Sequence, residues 1–182
     1  MKEIRIHARA GQGAITTAAI LGHAYFLKGK FPYAFPHFGA ARMGAPMNAF
    51  VRVDDKPVGV RGQIRTPDYI VIVDATLMRG FNCLAGLKDD GIVIYNQREG
   101  EEIPKVSGKQ KLYAMPGSDI AQKVIGRPLA NTVLLGGFAA ATGELDLEQI
   151  NEGIKERFSG KIADLNIEAV KQGYEYVKKL IK

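Results

Sequence analysis

Gly11-Gln12-Gly13 stands between a short alternating segment that ends at Arg9 and an apolar, helix-like one. At such a strand-to-helix junction, free backbone N–H groups and the positive helix end hold a phosphate or a carboxylate. Two glycines also serve plain turn geometry. The two readings stand level until Arg9 and the local positive charge tilt them toward anion binding. A dinucleotide fingerprint is absent: Thr16 occupies the place of its third glycine, and no acid follows within about 20 residues to take a ribose hydroxyl. Thr16 and Thr17 can offer hydroxyls to a phosphate, although first-turn threonines usually satisfy local backbone. Farther along, Arg42 suits bidentate contact with a phosphate or carboxylate, and equally a salt bridge at an interface.

Other reactive side chains have plainer readings. His7 adjoins the loop without a carboxylate or nucleophile signature, so it is read as a hydrogen-bonded structural histidine. Asp74 ends the most apolar strand-like run, a place favourable for ligands, but with Thr76 following it is read as a helix cap. Cys83 is the only cysteine. That excludes an intrachain disulfide, a four-thiolate zinc site and an iron–sulfur cluster held by this chain alone. Within the apolar residues 77–87, read as a helix, it is a buried small hydrophobe.

Charge around these residues is uneven. Lys and Arg number 25 against 19 Asp and Glu, a net +6, and positions 4–53 hold six basic residues and no acid. His7, His23 and His37 fall in the same block, so its surface attracts phosphate, nucleic acid or acidic protein. Nucleic acid is disfavoured, because the basic residues are spread singly and no helix-turn-helix, zinc or aromatic-basic signature accompanies them. With 182 residues, 46% hydrophobic and 24% charged, one domain over residues 1–182 is expected, in a reducing, cytoplasmic setting. No apolar run approaches the roughly 20 residues that cross a membrane, and no signal-like stretch opens the chain.

The elements that must position these groups follow from periodicity and punctuation. Residues 2–8 alternate as a strand, with Ile4 and Ile6 on one side. A helix over about 14–28 follows, burying Ile15, Ala18, Ala19, Gly22 and Phe26, with Gly29 as its left-handed stop. Residues 32–46 carry three prolines and two glycines and predict extended, irregular backbone. A strand at 48–53 then turns through Asp54-Asp55-Lys56-Pro57 into a hairpin partner at 58–61. Residues 69–73, apolar without alternation, predict a central strand covered on both faces. Further strands are expected at 91–95 and 111–114, then a helix capped by Ser118 and ended by Gly126 and Pro128. Asn131 caps an apolar helix over 132–142, closed by Gly143. Asp146 and Gln149 form a capping box for a helix to about 158. A last amphipathic helix starts at Asn166, with Ile167, Val170, Tyr174, Val177 and Leu180 on one face. The pattern predicts an α/β fold: a single three-layer domain with a mostly parallel central sheet, helices on both faces and a β-hairpin insertion.

Several motifs together resemble a known family. They are His7-Ala8-Arg9-Ala10-Gly11-Gln12-Gly13-Ala14, Phe35-Pro36-His37-Phe38-Gly39-Ala40-Ala41-Arg42-Met43-Gly44-Ala45-Pro46, Phe50-Val51-Arg52, Asp55-Lys56-Pro57, Thr66-Pro67-Asp68 and Asn131-Thr132-Val133-Leu134-Leu135-Gly136. In this order, over most of the chain, they resemble the gamma subunit of pyruvate and related 2-oxoacid:ferredoxin oxidoreductases. Ala8 and Ala10 stand where glycines are expected, Ala41 where an acid is common and Met43 where a second Arg is common. These departures bear on which 2-oxoacid is used, not on the subunit type.

The resemblance implies an assembly, of the pyruvate type, that converts a 2-oxoacid, coenzyme A and oxidised ferredoxin to acyl-CoA, CO2 and reduced ferredoxin. Thiamine diphosphate, magnesium and 4Fe–4S clusters are expected on other subunits. Lys88-Asp89-Asp90-Gly91 is not the Gly-Asp-Gly start of a thiamine diphosphate site and reads as a polar turn. This chain is then an accessory subunit with no catalytic residue and no metal ligand. Arg9, Gly11, Gln12, Gly13, Thr16 and Arg42 are its candidates for holding coenzyme A or another anion. Phe35, Phe38, Arg42, Met43 and Met47 are its candidates for docking on partner subunits, unless they fill the chain's own core. A free-standing nucleotide- or coenzyme A-binding module is the alternative, and a basic RNA-binding domain a third.

Overall fold

The computed structural model describes residues 1–39 and 42–182. Six strands form one sheet: β1 (Lys2–Arg9), β2 (Phe31–Phe38), β3 (Pro46–Asp54), β4 (Tyr69–Ile72), β5 (Ile92–Asn96) and β6 (Lys111–Met115), in spatial order β2-β3-β1-β4-β5-β6. β1, β4, β5 and β6 are parallel, and β3 is antiparallel to both β1 and β2. The helices are α1 (Ala14–Leu27), α2 (Gly117–Ile125), α3 (Asn131–Thr142), α4 (Leu147–Arg157) and α5 (Gly160–Ile181).

All five helices bury side chains in one core with Ile4, Ile6, Val51, Val71 and Ile94 of the sheet. A smaller core holds Ile70, Ile72, Val93 and Tyr95 under a single 3-10 turn (Ala75–Arg79), Cys83 and Leu87. Burial of β4 on both sides explains its unbroken apolar run. The α/β class and the mostly parallel sheet are as expected, but the covering layers are unequal: five α-helices on one face, one 3-10 turn and coil on the other.

Several local expectations are corrected. The hairpin is β2 with β3, paired from Phe31↔Asp54 to Phe38↔Met47, and residues 57–61 form no strand. Prolines argue against a central strand, yet β2 is the sheet edge, where Pro32 and Pro36 can turn their missing N–H groups to solvent and blunt further strand addition. Helix α1 buries Ile20, Leu21, Ala24 and Tyr25 and exposes Ile15 and Phe26, because a helix apolar almost all round carries no stripe to mark its core face. Residues 77–79 end the 3-10 segment and 80–87 are turns and coil, rather than an α-helix. Ser118 does not cap α2; its hydroxyl accepts from Asn96 Nδ2, and its N–H donates to Asn96 Oδ1. Asn131 is the first residue of α3 instead of its cap, α5 begins at Gly160, and Leu180 is exposed. The Asp146/Gln149 capping box and the left-handed stops at Gly126 and Gly143 stand where expected.

Candidate functional site

β1 ends at Arg9, and the chain turns through residues 10–13 into α1. Gly11 (φ +96°) and Gly13 (φ +82°) are left-handed. A Cβ on Gly11 would lie 2.5 Å from Met43 Sδ, and one on Gly13 2.7 Å from Asn131 Nδ2. Each glycine therefore meets a backbone and a packing demand at once. The 42–45 segment is bound to the loop: Ala10 N–H donates to Ala45 O (2.9 Å), Gly44 N–H donates to Ala10 O (3.0 Å), and Arg9 Nη1 donates to Gly44 O (3.2 Å). Three motifs far apart in sequence thus meet at the carboxyl end of β1, between β3 and β4. Open α/β sheets bind ligands where their connections diverge in this way.

Arg9 and Gln12 are engaged within the protein. Arg9 N–H donates to Gln12 Oε1 (2.7 Å), and Gln12 Nε2 donates to Asp74 Oδ2 (2.6 Å). Arg9 Nη2 donates to Thr76 Oγ1 (3.0 Å), and its Nε lies 3.4 Å from Asp74 Oδ2. Asp74 Oδ1 also accepts from Thr76 N–H and Oγ1–H. Burial pushes the Asp74 carboxyl up, but hydrogen bonds from Thr76 and Gln12 and the Arg9 charge outweigh it and hold the group below its ordinary value. Asp74 is therefore the expected cap and also a clamp between the glycine loop and the end of β4.

Of the remaining candidates, Arg42 is exposed, Met43 is exposed with its sulfur against Gly11, Phe38 is exposed on β2, and Phe35 is half-buried against Tyr33 and Phe50. Met47 is corrected as a docking anchor: it lies opposite Ala8 and is buried in the main core. Thr16 is half-buried in the first turn of α1, and Thr17 donates its hydroxyl to Gly13 O. Ala41, where the family pattern has an acid, and Ala40 lie outside the described residues. A cleft of about 460 Å³ runs past the carboxyl ends of β4 and β5, and its charged lining is Asp74, Glu99 and Asp119 against Arg98. That acidic balance disfavours a polyphosphate.

Two buried arginines, Arg5 and Arg52, escaped the sequence reading. They lie on the sheet face away from the α-helices. Arg52 Nε donates to Glu3 Oε1 (2.8 Å) and its Nη1 to Gly62 O (2.6 Å). Arg5 Nε donates to His7 Nε2 (3.0 Å), and its Nη2 donates to Cys83 O (3.1 Å) and Ala85 O (2.5 Å). The only signal for them was strand alternation, which puts Arg5 and His7 opposite Ile4 and Ile6.

His7 accepts at Nε2 and is neutral; burial first, and the Arg5 charge second, push its pKa down to about 3. An unfolded histidine titrates near 6.5, so as pH falls the unfolded chain takes the proton first. Stability is complete above about pH 6.5 and falls by up to about 1.4 kcal/mol per pH unit between 6.5 and 3. Urea midpoints measured on both sides of pH 6.5 will fall more steeply for the parent than for His7→Gln, which keeps an acceptor for Arg5. Parallel curves would exclude His7 as the titrating group.

The family described as pyruvate ferredoxin/flavodoxin oxidoreductase matches residues 3–176. The pyruvate/ketoisovalerate oxidoreductases common subunit gamma of Pyrococcus furiosus is 44% identical over 178 residues, 96% of each chain. Pyruvate synthase subunit PorC of Methanothermobacter thermautotrophicus is 44% identical over 180 residues, 99% of this chain and 98% of the relative. The crystal structure of pyruvate oxidoreductase subunit PORC from Thermotoga maritima aligns with a TM-score of 0.83 at 36% identity, over 96% of each chain. A 2-oxoglutarate:ferredoxin oxidoreductase from Magnetococcus marinus shares the fold at 20% identity and a TM-score of 0.81, over 98% of this chain and 31% of that one. Glycine loop, Arg42 segment and the start of α3 thus stand together in a chain whose relatives match it nearly end to end: it belongs to the pyruvate ferredoxin/flavodoxin oxidoreductase family, as a gamma-type subunit.

Proposed function

We propose that this gamma subunit serves a cytoplasmic 2-oxoacid:ferredoxin oxidoreductase of the pyruvate type, folding as one unit over residues 1–182 and docking on larger companion chains. The complex converts pyruvate, coenzyme A and oxidised ferredoxin to acyl-CoA, CO2 and reduced ferredoxin. The names of the 44%-identical relatives support the pyruvate reading. Those names also describe subunits, which leaves the free-standing module without support. One cysteine cannot supply the thiolates of a cluster, so the clusters, with thiamine diphosphate and magnesium, belong to the companions.

The observation that supports the subunit's own role is the lock between the glycine loop and residues 42–45, with Met43 against Gly11 and Arg42 exposed next to Met43 in the chain. Arg9 keeps about a third of its side chain exposed (33%). A phosphate of coenzyme A fits this surface, with Arg42 and the outer edge of Arg9 as donors and the first N–H groups of α1 behind them. Gln12, its amide taken by Asp74, is a positioning residue. Phe38 and Met43 supply an apolar rim for a companion chain.

Coenzyme A titration of the assembled complex, parent against Arg42→Ala, tests this. An affinity loss of about tenfold, roughly 1.4 kcal/mol, is expected, with the assembly intact by gel filtration. Equal affinities would withdraw Arg42 from coenzyme A, and loss of assembly would place it at the subunit interface instead.

A further inference from the structure

Arg5 and Arg52 are neighbours on one sheet face, both buried, and both hold loop carbonyls. Arg52 has a counter-charge in Glu3. Arg5 has none: its partners are His7 and the carbonyls of Ile64, Cys83 and Ala85, and among the described residues no carboxylate acts on it. A buried cation served by dipoles alone is costly. Its Nη1 has only a 3.4 Å contact, to Ile64 O, at the long limit for a hydrogen bond.

Arg5 faces a cavity of about 520 Å³, within the roughly 300–1,000 Å³ typical of small-molecule sites. Its polar lining includes Arg65, His37, Asn48 and Gln63, and among the described residues no acidic one lines it. Phe50 and Phe81 supply apolar wall. A cationic, acid-free cavity with low-dielectric walls concentrates anions. With one buried guanidinium and aromatic walls it suits a single carboxylate on an apolar body better than a polyphosphate.

We propose that this cavity is a binding site for an organic carboxylate that supplies the counter-charge Arg5 lacks, its carboxylate on Arg5 Nη1 and its apolar body between Phe50 and Phe81. The carboxylate belongs either to a free acid or to an Asp or Glu side chain inserted by a companion subunit. The proposal is independent of the coenzyme A surface at Arg42.

The test uses benzoate as probe, acetate as a carboxylate without a body, and Arg65→Glu, which reverses charge at the exposed rim and leaves Arg5 in place. In the free-acid case the full chain binds benzoate saturably, with shifts at His7 and Asn48 in the NMR spectrum. Acetate binds more weakly, and Arg65→Glu loses at least tenfold in benzoate affinity. In the companion case the free chain ignores benzoate, while Arg65→Glu weakens subunit association at least tenfold. Benzoate binding that Arg65→Glu leaves unchanged would overturn the proposal. So would a chain that neither binds benzoate nor loses association in Arg65→Glu.

Discussion

Gly136→Ala and Gly173→Ala are each expected to destabilise the chain by roughly 3 kcal/mol or more. Helices α3 and α5 cross with their backbones in contact. A Cβ on Gly136 would lie 1.9 Å from Val170 O and 2.7 Å from Tyr174 N, and one on Gly173 would lie 2.0 Å from Val133 O. The obstructing atoms are helical backbone and cannot rotate aside, so the helices must separate and open the core on both sides. Alanine recovers about 1 kcal/mol of helix propensity, which offsets only part of that loss. Displacement of α3 also moves Asn131, whose side chain abuts Gly13, so the glycine loop loses its backing. Urea or thermal unfolding measures the effect, with Gly59→Ala as control, since nothing lies within 4 Å of a Cβ there. The control should stay within about 0.5 kcal/mol of the parent. Unchanged midpoints for Gly136→Ala would mean that α3 and α5 do not touch at this point.

What the sequence disclosed about the fold was local chemistry. The Asp146/Gln149 box, the stops at Gly126 and Gly143 and the apolar run of β4 depend on neighbours a few residues away, and each is where those neighbours put it. The hairpin was misread because its evidence is tertiary. Asp54-Asp55-Lys56-Pro57 has good turn chemistry, while β2 is proline-bearing and becomes a strand only through pairing with β3 at the sheet edge. The site divides along the same line. The glycine loop and the Arg42 segment were legible as motifs, but their contact through Met43 and Gly11 was not, because residues 32 positions apart carry no joint local signal. Asp74 was legible as a cap, whereas its hold on Gln12 and Arg9 required the register of β1 beside β4. Arg5 reads as a surface residue until that register turns it inward.

Removing Arg5 is the second large effect. Arg5→Met keeps the length and apolar stem of the side chain but leaves the carbonyls of Cys83 and Ala85 and His7 Nε2 without their donor. Each buried acceptor left unmet costs about 1–3 kcal/mol, and the adjoining cavity admits water to relieve part of that, so a loss of about 3 kcal/mol is expected. Arg5→Lys should not restore it, because one ammonium cannot span three acceptors that the planar guanidinium serves together. The loss has a local reporter. Cys83 is fully buried under the cover that Arg5 staples to the sheet, and burial pushes its thiol up to about 11. In the parent the thiol should resist alkylation at neutral pH. In Arg5→Met the 83–86 segment is released from the sheet, and alkylation under native conditions should quicken by about an order of magnitude or more, beyond what global unfolding at the measured stability explains. Equal alkylation rates in the two proteins would show that packing of Leu77 and Leu87 holds this cover by itself, and that the guanidinium is not its fastening.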